Sequence, residues 1–252
     1  MLNRRGSKAK IAHQLIPYFH KHDVYIDLFF GAGGIYFYKP RAKYNICNDL
    51  DGEVFNFWSV YSNPDTKAKL LAQIEMLPTC QDIFNYFKTA QYTDPIQKAL
   101  AFFMLSNYGL YSAPSTMRIQ SSCPKKKALF FAQKLLIDSE TIFLNLDFRR
   151  VLGAIKDELF ENKIVFVYAD PPYIDTARYN AGNFRETDTE DLFAILVNSS
   201  HYFAISEFSN IFVLDLASKY GLNVIEVCDR RSIKKRSTEI LITNYLPSSE
   251  LF

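Results

Sequence analysis

Long apolar runs are missing from this 252-residue sequence, and none approaches the ~18 residues that a membrane-spanning helix needs. The basic start, "MLNRRGSKAK", also lacks the apolar segment of a signal peptide. Cysteine is scarce and scattered: Cys47, Cys80, Cys123 and Cys228 form no CxxC pair. They read as free thiols of a reducing cytoplasm and support neither a disulfide framework nor a metal site. An excess of one charge is absent too, with 29 basic against 27 acidic side chains. Any nucleic-acid surface must therefore come from basic residues gathered on one face. Internal repeats and low-complexity tracts are not seen. What remains is the profile of a soluble cytoplasmic globular protein, long enough for one large α/β domain with a smaller insertion. Aromatic residues make up 15% of it, 22 Phe and 16 Tyr against one Trp, and this excess reads mostly as core.

Strand-like runs occur at 24–30 ("VYIDLFF"), 44–47, 163–169 ("KIVFVYA"), 202–206, 223–228 and 239–245. Helical patterns lie between several of them, with start and stop signals. Asn63-Pro64 and Asp94-Pro95 each put a capping side chain before a proline at the first helical position. Thr187 with Glu190 fits a capping box, and Gly221 suits a helix end. Continuous apolar strands alternating with helices imply a mostly parallel sheet covered on both faces. Residues 53–140 break that rhythm with helical patterns at 65–77, 81–90 and 95–108, followed by an irregular polar stretch at 105–127. A long loop of that kind in a compact domain is functional or disordered.

The segment "DLFFGAGGIYF" sets Gly31, Gly33 and Gly34 at the end of the first strong strand, where a doubly wound sheet turns tightly and lets a ligand approach. Glycine clusters also occur as plain turns, so this is a weak signal alone. The next strand ends in Asp49, at the spacing of an acid that takes ribose hydroxyls. A solvated turn residue is the plainer reading of Asp49. The third glycine is out of GxGxxG register and no Walker lysine follows. Both facts point away from a dinucleotide or triphosphate, toward another adenosine-bearing cofactor.

"KIVFV" then runs into "YADPPYIDT". A strand that only had to end could use Gly, Asn or Ser. Two successive prolines instead fix two φ angles and remove two amide donors, leaving a stiff backbone with unspent carbonyls. The Asp170 carboxylate, the Pro171 carbonyl and the Tyr173 ring side by side suit a flat, amine-bearing molecule. At average residue usage Asp-Pro-Pro-Tyr arises by chance in roughly one chain in a thousand of this length.

In these residues the chain resembles the Dam-type, alpha-group DNA adenine-N6 methyltransferases. The tetrapeptide Asp170, Pro171, Pro172, Tyr173 is like the catalytic motif of that family. Gly6 and Lys8 in "NRRGSKAK" resemble its Gly-Lys motif, although the aromatic and second glycine common before that lysine are missing. Phe29, Phe30, Gly31, Ala32 and Gly33 resemble its cofactor loop, Asp49 its ribose acid, and Asp147 with Phe148 the pair flanking the cofactor adenine. "RRSIKKRSTEILITNY" resembles its Arg-Ser-rich loop and last strand. The motif order is also that of the alpha group, over nearly the whole chain.

The resemblance implies a Rossmann-like class I methyltransferase fold with a mostly parallel twisted sheet. Residues 1–52 and 141–252 would form the S-adenosylmethionine-binding catalytic domain, and 53–140 a helical target-recognition insertion. It implies methyl transfer to the N6 amine of adenine in a specific double-stranded DNA sequence. It further implies base flipping, a restriction-modification role, a monomer and no membrane association. Cofactor contacts would come from Lys8, the 29–33 loop, Asp49, Asp147, Phe148 and Asp170. DNA contacts are expected from Ser112, Ser115, Thr116 and Arg118, and from the basic runs Lys125, Lys126, Lys127 and Arg231, Lys234, Lys235. The loop at 105–127 is not closely similar to Dam's DNA-reading hairpin, so Dam's target does not carry over. The alternatives are an amino-methyltransferase acting on RNA or on another base, and a non-enzymatic nucleic-acid binder. Retention of Gly31, Gly33, Asp49, Asp147 and Asp170 together argues against the last.

Overall fold

The computed structural model describes residues 2–4, 6–109, 116–118, 141–173, 184–231 and 236–247. Two compact units emerge, residues 8–50 with 140–252, and residues 1–7 with 51–139.

Among the described residues, the first unit is built on seven strands: β1 (Val24–Asp27), β2 (Tyr44–Asn48), β3 (Thr141–Leu144), β4 (Val165–Ala169), β5 (Tyr202–Phe208), β6 (Asn223–Arg231) and β7 (Arg236–Thr243). They form one sheet in the order β3-β2-β1-β4-β5-β7-β6. Pairing is parallel from β3 to β5, and β7 runs antiparallel to both β5 and β6. Every residue of β1 and β4 is buried, as in a strand covered on both faces. That is why their sequences are continuous rather than alternating. Around the sheet lie α1 (Ala12–Leu15), α6 (Phe148–Ala154), α7 (Glu186–Asn198) and α8 (Ile211–Lys219). Val151, Leu192, Phe193, Leu196, Val213 and Leu216 of the last three join Ile26, Val165, Val167, Phe203 and Ile205 in one core.

The helical signals are mostly kept. Asn63 accepts from the amides of Asp65 and Thr66 at 3.0 and 3.2 Å, and Asp94 from Gln97 at 3.1 Å. Gly221, at φ 64°, closes α8 with the paired bonds of a Schellman motif, Gly221 N–H to Ser218 O and Leu222 N–H to Ala217 O. The expected capping box at Thr187 is not there. The helix α7 begins at Glu186, and Asp188 accepts from the Arg185 amide at 2.7 Å, so the start lies two residues earlier. Two elements carried no recognisable sequence signal. The strand β3 is a four-residue edge strand with half-exposed side chains. The helix α2 (Gly52–Ser62) opens on a glycine and is rich in aromatic and β-branched residues, which weakens its helical pattern.

The second unit packs α2 with α3 (Pro64–Met76), α4 (Gln81–Thr89) and α5 (Pro95–Tyr108). Its core is aromatic, with Phe57 5.9 Å from Phe102 and Trp58 buried. The Arg4 guanidinium pairs with Asp51 at 3.1 Å and lies over the Phe102 ring, which ties the start of the chain to these helices. No described helix of either unit is long and apolar enough to cross a membrane.

Candidate active site

The register of the sheet brings two loops together. Asp27, the last residue of β1, stands opposite Tyr168 of β4, so the glycine loop and Asp170 leave the same end of adjacent strands. The chain winds outward from β1 to β3 and then returns to β4, making this pair the topological switch point.

Asp27 is buried and accepts from the Tyr25 hydroxyl at 2.9 Å and the Phe29 amide at 3.2 Å. Burial pushes its carboxyl up to about 7, and the Asp170 and Asp49 charges add to the rise. Gly31 (φ 52°) and Gly33 (φ 67°) are both left-handed, which L side chains rarely adopt. A Cβ on Gly33 would stand 2.4 Å from the Phe37 ring, whereas one on Gly31 would meet nothing nearer than 4.0 Å. The Gly31 amide donates to the Asp49 carboxylate at 2.7 Å, which locks the loop to the end of β2. Asn48, which sequence reasoning passed over, ties three segments together. Its amide donates to the Leu28 and Leu146 carbonyls, and its own oxygen accepts from the Leu146 amide.

The two phenylalanines of the loop part company. Phe30 is buried among Tyr36, Phe37 and Phe143, while Phe29 lies against Phe148 and Phe184 at 5.5 and 5.8 Å. Ala32 is buried. Asp147 caps α6 by accepting from the Arg149 amide at 2.9 Å. The Arg149 guanidinium covers Phe148 and pairs with Asp147, Asp188 and Asp191.

Beyond β4, the Asp170 side chain is 19% exposed, Pro171 is buried and Tyr173 is 8% exposed. Lys8 is buried, although Lys is rarely so unless paired. Its ammonium forms an ion pair with Asp170, lies 3.5 Å from Glu239 and sits over the Tyr173 ring at 4.5 Å. Expected among the cofactor contacts, Lys8 thus joins the tetrapeptide. Glu239, from β7, accepts from the Tyr173 hydroxyl at 2.6 Å and from the Ser206 hydroxyl at 2.7 Å. Glu207 is buried beside them and accepts from the Phe208 amide at 2.8 Å. Burial pushes its carboxyl up to about 8, Lys8 opposing the rise and Asp170 and Glu239 adding to it. Sequence reasoning missed both glutamates, which stand at the ends of apolar runs: Glu207 follows "YFAIS" and Glu239 precedes "ILIT".

Of the expected DNA contacts, Thr116 and Arg118 are exposed, next to an isolated antiparallel bridge between Gly109 and Met117. Arg231 ends β6, in register with Arg236 of β7. Ser112, Ser115, Lys125, Lys126, Lys127, Lys234 and Lys235 lie outside the described residues.

The model of the D12 class N6 adenine-specific DNA methyltransferases matches residues 5–233. The chain belongs to that family. Among its relatives is the modification methylase StsI of Streptococcus sanguinis, 26% identical over 97% of this chain and 42% of that protein. Another is the type II methyltransferase M1.LlaDCHI of Lactococcus lactis subsp. cremoris, 23% identical over 92% of each. The chain therefore spans less than half of StsI and nearly all of M1.LlaDCHI. Among solved structures, the rRNA methyltransferase aviRa of Streptomyces viridochromogenes aligns with 96% of this chain and 86% of its own at a TM-score of 0.44 and 12% identity. The family matched is the one that the tetrapeptide and the glycine loop resemble, and both of those lie within residues 5–233.

Proposed function

We propose that this protein transfers a methyl group from S-adenosylmethionine to the N6 amine of adenine in a specific sequence of double-stranded DNA. On this reading it acts in the cytoplasm as a modification enzyme. The observation that carries the reading is the placement of Asp170, Pro171 and Tyr173 at the β1/β4 switch point, beside a glycine loop locked to Asp49.

The residues present fit the cofactor. The space around Gly31, the Asp49 carboxylate at the end of β2, and the Phe29-Phe148 ring pair offer room, a hydroxyl acceptor and an apolar wall for an adenosine. Phe30, turned into its own aromatic cluster, acts as support for the loop. Bound there, the cofactor supplies an activated methyl group, so the protein need only bind and orient.

The amine of adenine is a poor nucleophile because its lone pair is shared with the ring. Asp170 and the Pro171 carbonyl accept from its two hydrogens and draw the nitrogen toward a tetrahedral shape, with both acceptors held by the stiff proline backbone. Tyr173 forms the aromatic wall for the base, which has to leave the duplex to arrive there.

The deciding experiment uses labelled S-adenosylmethionine with double-stranded DNA, RNA and protein as parallel substrates. Wild type should label adenine in DNA alone. Asp170→Ala should remain folded and bind cofactor, yet turn over about 10²–10³-fold more slowly, as for loss of one preorganised hydrogen-bonding group. Near-normal turnover would refute the role of Asp170, and label confined to RNA, protein or cytosine would refute the substrate.

A further inference from the structure

Glu239 has no exposure at all, on a strand whose neighbours Ile240, Leu241 and Ile242 are core. A carboxylate so placed is costly unless it is fully engaged. Here it is engaged by three groups that converge on one oxygen. The Tyr173 hydroxyl and the Ser206 hydroxyl donate to it, and the Lys8 ammonium stands 3.5 Å away. Two of the three belong to the tetrapeptide assembly. Tyr173 is its aromatic member, and Lys8 is the ion-pair partner of Asp170.

Building on the roles of Asp170 and Tyr173 given above, we propose that Glu239 is a positioning residue for amine methylation. It holds the Tyr173 ring by the hydroxyl and shares Lys8 with Asp170, so that Asp170 keeps acceptor capacity for the amine.

Geometry and charge both lead there. An aromatic ring is fixed at the backbone but can swing about its side-chain torsions. Phe208, 4.4 Å from Tyr173, restrains it from the side, and the Glu239 bond anchors its far end. A lone lysine facing a lone aspartate would also draw charge from the oxygens that must accept from a neutral amine. A second carboxylate on the same ammonium divides that pull. Ser206, donating to the same oxygen, holds Glu239 in the orientation that serves both.

The test compares Tyr173→Phe, Glu239→Gln, Glu239→Ala and the double variant Tyr173→Phe/Glu239→Ala. Each is assayed for turnover on DNA from a host without adenine methylation, for S-adenosylmethionine affinity and for thermal stability. Glu239→Ala should turn over at least 10-fold more slowly at unchanged cofactor affinity. Adding Tyr173→Phe should cost little more, because the hydroxyl would already have lost its anchor; such non-additivity marks residues acting through one network. Glu239→Gln keeps an acceptor for both hydroxyls and should recover part of the loss in Glu239→Ala, but not all of it, since the charge opposite Lys8 is gone. A merely structural glutamate would lower the melting temperature and leave turnover per folded molecule unchanged, or give losses that multiply. Either result would overturn the proposal. Asp170→Ala, run alongside, separates the two readings. If it is inactive while every Glu239 variant turns over normally, only the role of Glu239 fails; if it is active, the tetrapeptide reading fails first.

Discussion

Two carboxyl groups at the heart of the sheet unit carry a pH dependence of their own. Asp27 titrates near 7 and Glu207 near 8, both raised chiefly by burial. An unfolded chain releases these protons near the ordinary carboxyl values of about 4. The folded state therefore binds more protons than the unfolded one between about pH 4 and 8, and folding stability falls as pH rises through that window. Glu207→Gln should remove its share of the loss. In a chain of this size each kcal/mol moves the melting point by roughly 2–4 °C. Between pH 6 and 8.5 the wild type should lose several degrees and Glu207→Gln fewer. Equal slopes in thermal scans would show that Glu207 is ionised throughout. Asp49→Ala belongs to the same scale. Removing the acceptor that the Gly31 amide uses, and that the cofactor hydroxyls are proposed to use, should weaken S-adenosylmethionine by a few kcal/mol, since bonds to a charged group are each worth ~1.5–3 kcal/mol. Titration calorimetry with wild-type affinity would remove Asp49 from the site.

At the scale of elements, the glycine loop shows which features can be read from a sequence. Gly31 and Gly33 announce a turn because glycine takes their left-handed backbone without the strain other residues meet, and Asp49 announces itself as an acid at a strand end. Likewise Asn63 and Asp94 mark helix starts through local bonds to amides two or three residues on. Asn48, Glu207 and Glu239 could not be read in this way. Asn48 bonds to Leu146, and Glu239 to Tyr173 and Lys8, all remote in sequence, while the bond that Glu207 accepts from the next amide gives no sign of its burial. The α7 start failed for a related reason: Asp188 supplies half of a capping box without a Ser or Thr before it. Gly33→Ala tests the loop as an element. Its Cβ would fall 2.4 Å from the Phe37 ring in a left-handed backbone, so overpacking alone should cost about 1–3 kcal/mol. The loss should appear in denaturant midpoints, and cofactor affinity should fall with it. A variant as stable as wild type would mean that the loop relaxes freely.

On the scale of the whole molecule, charge decides how DNA would be held on the proposed reading. Its net charge of +2 gives no general attraction to a polyanion, so affinity must come from local clusters. The candidates are Arg118, the Lys125–Lys127 run, and the basic residues where β6 meets β7, with Arg231 opposite Arg236 in the ladder. These groups would serve different purposes. Lysines suit phosphates, which carry no sequence information, whereas a lone exposed arginine suits the bidentate face of guanine. Removing each kind should leave its own signature. Replacing Lys125, Lys126 and Lys127 by Ala should weaken binding to every DNA and flatten the dependence of log affinity on log salt by about 1 for each phosphate no longer neutralised. Arg118→Ala should leave that slope nearly unchanged and relax the choice of site, at ~1–3 kcal/mol of discrimination. Modified-base sequencing of DNA from cells expressing each variant reads the second effect directly. If the Arg118 variant methylates the same sites at the same rate, target reading lies elsewhere in the chain. A lysine triple variant with an unaltered salt slope would move the phosphate-binding surface to the β6–β7 end.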